Sequence, residues 1–161
     1  FFDHSIERTY YALVWGEPEE EEGTIDVPLG RSQKDRRITA AYPDGGYGQH
    51  AVTHYKLIER LHYVSLLQCN LETGRTHQIR VHFAHRRHAL VGDQVYGGRL
   101  AMPAGASEAV IAALRGFRRQ ALHAIRLEFV HPVSGEPLRL EASPPDDFQS
   151  LLTTLREGRE H

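Results

Sequence analysis

The chain has 161 residues, of which 40% are hydrophobic and 25% charged, and its formal net charge at pH 7 is −2. This composition is that of ordinary soluble globular protein, and the length suits one domain with a modest core. The single cysteine, Cys69, excludes an intrachain disulfide and fits a reducing compartment, which predicts the cytoplasm. No apolar run approaches the roughly 18 residues that a membrane span needs, so no membrane partner is predicted.

Acidic residues are concentrated near the N-terminus. Glu17 and residues 19–22, all glutamate, surround Pro18 and predict a solvated hairpin loop. Without these five carboxylates the chain would carry a formal charge of +3. A basic face on a near-neutral protein is compatible with RNA binding, because clustering of charge matters more than the sum.

Alternating apolar side chains dominate the sequence and predict strands. The expected strands are residues 8–15, 24–27, 36–42, 51–60, 63–71, 122–130 and 138–142. We expect the second to form a hairpin with the first across the acidic loop. Helices are predicted near residues 77–86 and 108–114 and after Pro145, where apolar residues recur at helical spacing. Strands and helices do not alternate regularly, which predicts an α+β fold with a mixed, mainly antiparallel sheet and flanking helices.

Residues 71–98 combine a glycine turn, a predicted helix and a cluster of cations. Thr73-Gly74 is turn chemistry, and Thr76 is a natural N-cap, so the helix is expected to begin at His77. From Thr73 to Arg99 the sequence holds five arginines and four histidines but one acidic residue, Asp93. This stretch predicts a local positive site.

The same stretch resembles the RluA family of RNA pseudouridine synthases. The matching motif is TGRTHQIRVH at residues 73–82, followed by Gly92-Asp93 and Tyr96-Gly97. Residues 8–16, RTYYALVWG, resemble the strand that carries the family's active-site tyrosine. Residues 105–109 and 119–123 are most similar to the branch that modifies large-subunit ribosomal RNA. The resemblance implies the pseudouridine synthase fold, isomerisation of uridine in structured RNA, and no cofactor, metal or obligate protein partner.

The resemblance also implies roles for individual residues. Arg80 matches the family's active-site arginine, and Tyr10 matches its tyrosine; the alternatives are a surface helix arginine and a core tyrosine. Tyr11 must point to the opposite sheet face and serves as an internal control. RNA binding or pocket support is expected of five further residues: Arg75, His77, Gln78, Arg86 and Arg87. For Arg86 and Arg87 a solvated helix face is an equal alternative.

The family's nucleophile motif, His-Arg-Leu-Asp, does not occur in the chain. None of the seven aspartates stands in that context, so none is assigned the role. The expectation is that residues 1–161 are the C-terminal portion of a single synthase catalytic domain. An N-terminal segment is then expected to supply the aspartate, and the chain alone is expected to be inactive.

Two other function classes remain open on the sequence. A non-catalytic RNA-binding module would keep the arginine and tyrosine without a nucleophile. A metal-dependent hydrolase could use His82, His85 and His88, which recur every third residue. The second alternative lacks a cysteine pair, a His-Glu-x-x-His motif and an obvious carboxylate ligand.

Overall fold

A six-stranded antiparallel sheet forms the centre of the molecule. The computed structural model describes residues 7–98 and 102–159; Asp3 and Arg99, which were counted above, lie outside them. The strands are β1 (Glu7–Trp15), β2 (Glu22–Asp26), β3 (Leu29–Arg31), β4 (Thr39–Ala41), β5 (Val52–Arg60), β6 (Val64–Leu71), β7 (Leu122–Val130) and β8 (Pro137–Glu141). The helices are α1 (Gln78–His85), α2 (Glu108–Gly116) and α3 (Asp146–Arg159). The large sheet has the order β2-β5-β6-β1-β7-β8, and β3 pairs with β4 in a separate hairpin.

Helices cover both faces of the sheet because the central strands are apolar on both sides. In β1, Ala12 and Val14 belong to a buried cluster that includes Ile79 and Phe83 of α1. Leu13, between them, points the other way and packs in a second cluster with side chains of α2 and α3. The sheet therefore lies between α1 on one face and α2 and α3 on the other. The predicted α+β class with a mainly antiparallel sheet is confirmed.

Two predictions about the strands were wrong in detail. β2 pairs with β5 and not with β1, because both edges of β1 are occupied by β6 and β7. The strand expected over residues 36–42 is limited to Thr39–Ala41, and its partner β3 was not predicted. Three-residue strands are too short to show a period in the sequence.

The start of α1 also differs from the expectation. The N-cap is His77, not Thr76, and its side chain makes no capping hydrogen bond. His77 adopts a left-handed conformation with φ of 53°, which is uncommon outside glycine. The turn before the helix is closed instead by Gln78, whose backbone N–H donates to the carbonyl of Arg75 and whose side-chain oxygen accepts the N–H of Arg75.

Among the helices within the described ranges, none combines the length and apolar character needed to cross a bilayer.

Candidate functional site

Arg80 is the centre of the candidate site and is buried on α1. Its Nε and Nη2 donate to the two carboxylate oxygens of Asp93, each at 2.9 Å. The exposed fraction is 10% for the Arg80 side chain and 1% for that of Asp93. A two-point arginine–carboxylate contact fixes the plane of the guanidinium as well as its position. Arg80 is therefore held in one orientation.

Asp93 also organises the turn that follows it. Its Oδ1 accepts the backbone N–H groups of Val95 and Tyr96, both at 3.0 Å. Burial raises the pKa of Asp93, but the hydrogen bonds from Arg80 and these two N–H groups outweigh burial and hold the pKa below its usual value. The carboxylate is charged at neutral pH, so the buried pair has no net charge.

Tyr96 connects Arg80 to the β3–β4 hairpin. The Arg80 guanidinium carbon lies 5.0 Å from the centre of the Tyr96 ring, within the range of a cation–π contact. The Tyr96 hydroxyl accepts the backbone N–H of Thr39 at 3.0 Å and lies 2.8 Å from Nδ1 of His77. Burial and the nearby Arg80 charge lower the pKa of His77, so its neutral ring can accept a hydrogen bond from the Tyr96 hydroxyl.

Tyr10 lies on the sheet face that α1 covers. It packs against the cluster that contains Ile79, the neighbour of Arg80, whereas Tyr11 packs against the cluster on the opposite face. The pairing of β1 with β7 shifts register between Thr9 and Tyr10, where Ile125 of β7 has no partner in β1. Tyr10 and Tyr11 thus lie on opposite faces of the sheet, as the sequence predicted.

Gln78 is buried at the start of α1, where its side chain connects the helix to β5. Its side-chain oxygen accepts from Thr73 and Arg75, and its amide donates to the carbonyl of Val52 and to Thr53. Thr53 in turn bonds Nδ1 of His82 at 2.8 Å. This network ties α1 to β5 and leaves Gln78 a supporting role.

The remaining predicted residues lie at two ends of α1. Arg75 precedes the helix, and its Nε donates to the carbonyl of His50 at 2.8 Å. Arg86 and Arg87 lie at the far end, where Arg86 lines a small cavity with Glu19 and Glu20 of the acidic loop. The structure therefore joins His77 to Arg80 through Tyr96 and places Arg75 in the turn before the helix. Arg86 and Arg87 lie apart from them, at the other end of α1.

The histidines at every third position have separate environments. His82 is fully buried, and its Nε2 donates to the carbonyl of Val27 at 2.9 Å. His85 is exposed, and Nδ1 of His88 contacts the carbonyl of Trp15. Within residues 7–98 and 102–159, no three His, Cys, Asp or Glu side chains are arranged to hold a metal ion.

Two features of this region were not predicted from the sequence. Asp93 belongs to the matching motif, but nothing in the local sequence indicates that it pairs with Arg80. Arg31, Arg36 and Arg37, which line a cleft with Arg75, are not among the predicted RNA-binding residues. The basic residues at 31–37 are visible in the sequence, but their distance from Arg75 along the chain hid the cleft.

Known proteins match most of this chain. A ribosomal large subunit pseudouridine synthase D from Xanthomonas campestris is 52% identical over 152 residues, which is 94% of this chain and 45% of the relative. The protein of the same name from Vibrio cholerae is 46% identical and is covered to 46%. The chain thus spans about half the length of the curated relatives it matches.

Solved structures agree with this similarity. Human RNA pseudouridylate synthase domain containing 1 superposes with a TM-score of 0.70 at 27% identity, over 93% of this chain and 59% of that one. Human RNA pseudouridylate synthase domain containing 4 shares the fold, with a TM-score of 0.71 at 23% identity. The superposition covers 94% of this chain and 62% of that one. The family profile described as RNA pseudouridylate synthase matches residues 1–85. The profile match and the identity to these relatives show that the chain belongs to the RNA pseudouridylate synthase family, and its TGRTHQIRVH motif contains the buried Arg80.

Proposed function

We propose that this chain forms part of an enzyme that isomerises uridine to pseudouridine in structured RNA, with large-subunit ribosomal RNA as the substrate. Arg80 carries the proposal: it lies in the family motif, is buried, and is fixed by Asp93 and Tyr96. The names of the curated relatives support the choice of ribosomal RNA. We also propose a cytoplasmic location, which a ribosomal substrate supports, and a reaction that uses no cofactor.

The reaction breaks the N-glycosidic bond, turns the base and joins C5 of the base to the ribose, so the hydrogen on C5 is released. The target uridine must leave the stack to reach the site. We propose that an aspartate from a segment absent from this chain acts on the ribose. Arg80 orients that carboxylate and the flipped nucleotide, and Tyr10 stacks on the base and assists the proton transfer from C5.

The Asp93 pair limits what Arg80 can do. Asp93 engages two of the five guanidinium N–H donors, which leaves donors to bind a second carboxylate or the ribose. Because the pair is neutral as a whole, Arg80 acts by hydrogen bonding at close range more than by a long-range positive field. We therefore assign it positioning as well as charge stabilisation.

Tritium release from RNA labelled at uridine C5 tests the proposal. We expect release from the longer protein that contains this chain and none from the chain alone. In the longer protein, Arg80→Ala should abolish release, whereas Arg87→Ala should leave most of it. Equal and small losses from both variants would contradict the role of Arg80.

Tyr10 has its own matched control. Tyr10→Phe should lower the rate of tritium release, and Tyr11→Phe, on the opposite sheet face, should not. Release by the chain alone would show that it contains its own nucleophile. No release from the longer protein, when it is folded and binds RNA, would favour the non-catalytic RNA-binding module.

A further inference from the structure

A basic cleft lies between the β3–β4 hairpin and the start of α1. Its volume is about 690 Å³, and four arginines line it: Arg31, Arg36, Arg37 and Arg75. We call it the arginine cleft. None of the described residues that line it carries a negative charge. An anion entering the cleft therefore meets several guanidinium groups, of which Arg37 already holds the carboxylate of Asp35.

Most of this positive charge is uncompensated within the described ranges. Arg37 pairs with Asp35 through two hydrogen bonds of 2.9 and 3.0 Å. Arg31 and Arg36 make no ion pair or side-chain hydrogen bond with any described residue, and Arg75 bonds a backbone carbonyl. Three like charges around one cleft repel each other, and a bound polyanion would relieve that repulsion.

Local hydrogen bonds hold the cleft in shape. Ser32 Oγ accepts the backbone N–H groups of Lys34 and Asp35, and the Ser32 N–H donates to the carbonyl of Ile38. On the other wall, Leu29 and Gln49 exchange two backbone hydrogen bonds of 2.9 and 2.7 Å. The arginines thus project from ordered backbone, which lowers the entropy lost when they bind.

An exposed aromatic side chain stands beside the arginines. Tyr47 lines the cleft with 42% of its surface exposed. Its ring packs edge-to-face with that of Tyr42, with ring centres 4.8 Å apart, and the Tyr42 hydroxyl donates to the carbonyl of Arg31. A basic groove with an exposed aromatic side chain is the composition that binds single-stranded nucleic acid, because phosphates contact arginine and a base stacks on the ring.

The cleft is linked to Arg80 through Tyr96. Thr39 lines the cleft, and its backbone N–H donates to the Tyr96 hydroxyl at 3.0 Å. The Tyr96 ring in turn contacts the Arg80 guanidinium. A strand bound in the cleft would therefore pass close to the nucleotide at Arg80.

We propose that the arginine cleft binds an unpaired RNA segment flanking the target uridine, with phosphodiester groups on Arg31, Arg36 and Arg75 and a base stacked on Tyr47. This inference rests on the proposed function, since it names where the substrate of that site is held. Three arginines without a carboxylate partner and one ring, spread along a groove, fit a polymer with repeating phosphates better than a single small anion.

Salt-dependent binding of this chain to an unstructured RNA oligonucleotide of about 10 nucleotides tests the proposal. The affinity is measured by fluorescence anisotropy between about 50 and 200 mM KCl. Each lost single-strand phosphate contact lowers the slope of log K against log salt by about 0.7. Arg31→Gln/Arg36→Gln should therefore lower the slope by about 1.4, and Arg36→Lys should retain it.

Two further variants separate charge from stacking. Tyr47→Ala should weaken binding at least about fivefold at every salt concentration without changing the slope. Lys56→Gln removes one exposed charge from the sheet face opposite α1 and should change neither affinity nor slope. An unchanged slope in Arg31→Gln/Arg36→Gln, or an equal loss in Lys56→Gln, would overturn the proposal.

The remaining outcomes are equally decisive. Failure of the unaltered chain to bind RNA at low salt would overturn the proposal, as would displacement of the RNA by polyglutamate as effectively as by unlabelled RNA. The proposed function fails on different evidence, namely absence of tritium release from the longer protein. Binding without release would keep the cleft and remove the chemistry.

Discussion

Asp93→Asn tests how much the buried ion pair contributes to the fold. The substitution removes the charge but keeps a side-chain oxygen that can accept the N–H groups of Val95 and Tyr96. It leaves the Arg80 guanidinium, with 10% of its side chain exposed, without a counter-charge. Breaking one side of a buried pair costs about 3–5 kcal/mol, and we expect Asp93→Asn to lower the free energy of unfolding by that amount.

The chain contains a matched control for this variant. Arg119 and Asp147 make the same two-point contact, with distances of 2.9 and 2.7 Å, but 45% and 51% of their side chains are exposed. An exposed pair contributes about 1 kcal/mol or less. Asp147→Asn should therefore cost far less than Asp93→Asn, although the geometry of the two pairs is the same.

Urea unfolding at pH 7, followed by the fluorescence of Trp15, measures both variants, because the chain has one tryptophan. The free energies are compared by linear extrapolation, with circular dichroism as a second probe of the transition. If the loss in free energy of unfolding in Asp93→Asn lies within about 1 kcal/mol of the loss in Asp147→Asn, burial does not strengthen the pair and the reasoning is refuted.

Three other predictions use the same assay or a simple variation of it. Burial lowers the pKa of His82 below 6.5, so on acidification the unfolded chain binds a proton at this histidine before the folded chain does. The free energy of unfolding should therefore fall as the pH drops below 6.5, and it should fall less in His82→Gln. Gly92→Ala should lower the free energy of unfolding more than Gly98→Ala, although both glycines have positive φ. An added Cβ at Gly92 would lie 2.1 Å from the carbonyl oxygen of Arg119, whereas no described atom lies within 4 Å of an added Cβ at Gly98. The Cys69 thiol is buried, which raises its pKa, so a thiol reagent should label it only as fast as the chain opens; rapid labelling under native conditions would contradict that burial.

The elements with a clear period could be predicted from the sequence. The helical spacing of apolar residues predicted a helix near residues 77–86, and Ile79 and Phe83 are buried on α1. Strand pairing was less accessible, because the partner of β2 depends on which sheet edge is unoccupied. The start of α1 was wrong by one residue, since Gln78 closes the turn that Thr76 was expected to cap.

The site was predictable only where the motif names a residue. Arg80 and Tyr10 were selected by resemblance, and the structure places Tyr10 on the face that α1 covers. Asp93 could not be assigned in the same way, because a residue after a glycine turn is sufficiently explained by that turn. Its second role depends on how the chain returns to α1, which no local pattern encodes.

The positive charges of this chain divide into two kinds with different consequences. Arg80 is neutralised by Asp93 and buried, so salt in solution screens it weakly and its effect is confined to groups that it touches. Arg31 and Arg36 are exposed and unpaired with any described residue, so they attract phosphates over a longer range and lose that attraction as salt rises. Arg31 and Arg36 thus contribute to the affinity for RNA, whereas Arg80 orients the reacting nucleotide. Tyr96 is the shared element, because it contacts the Arg80 guanidinium and accepts a hydrogen bond from the strand that lines the cleft.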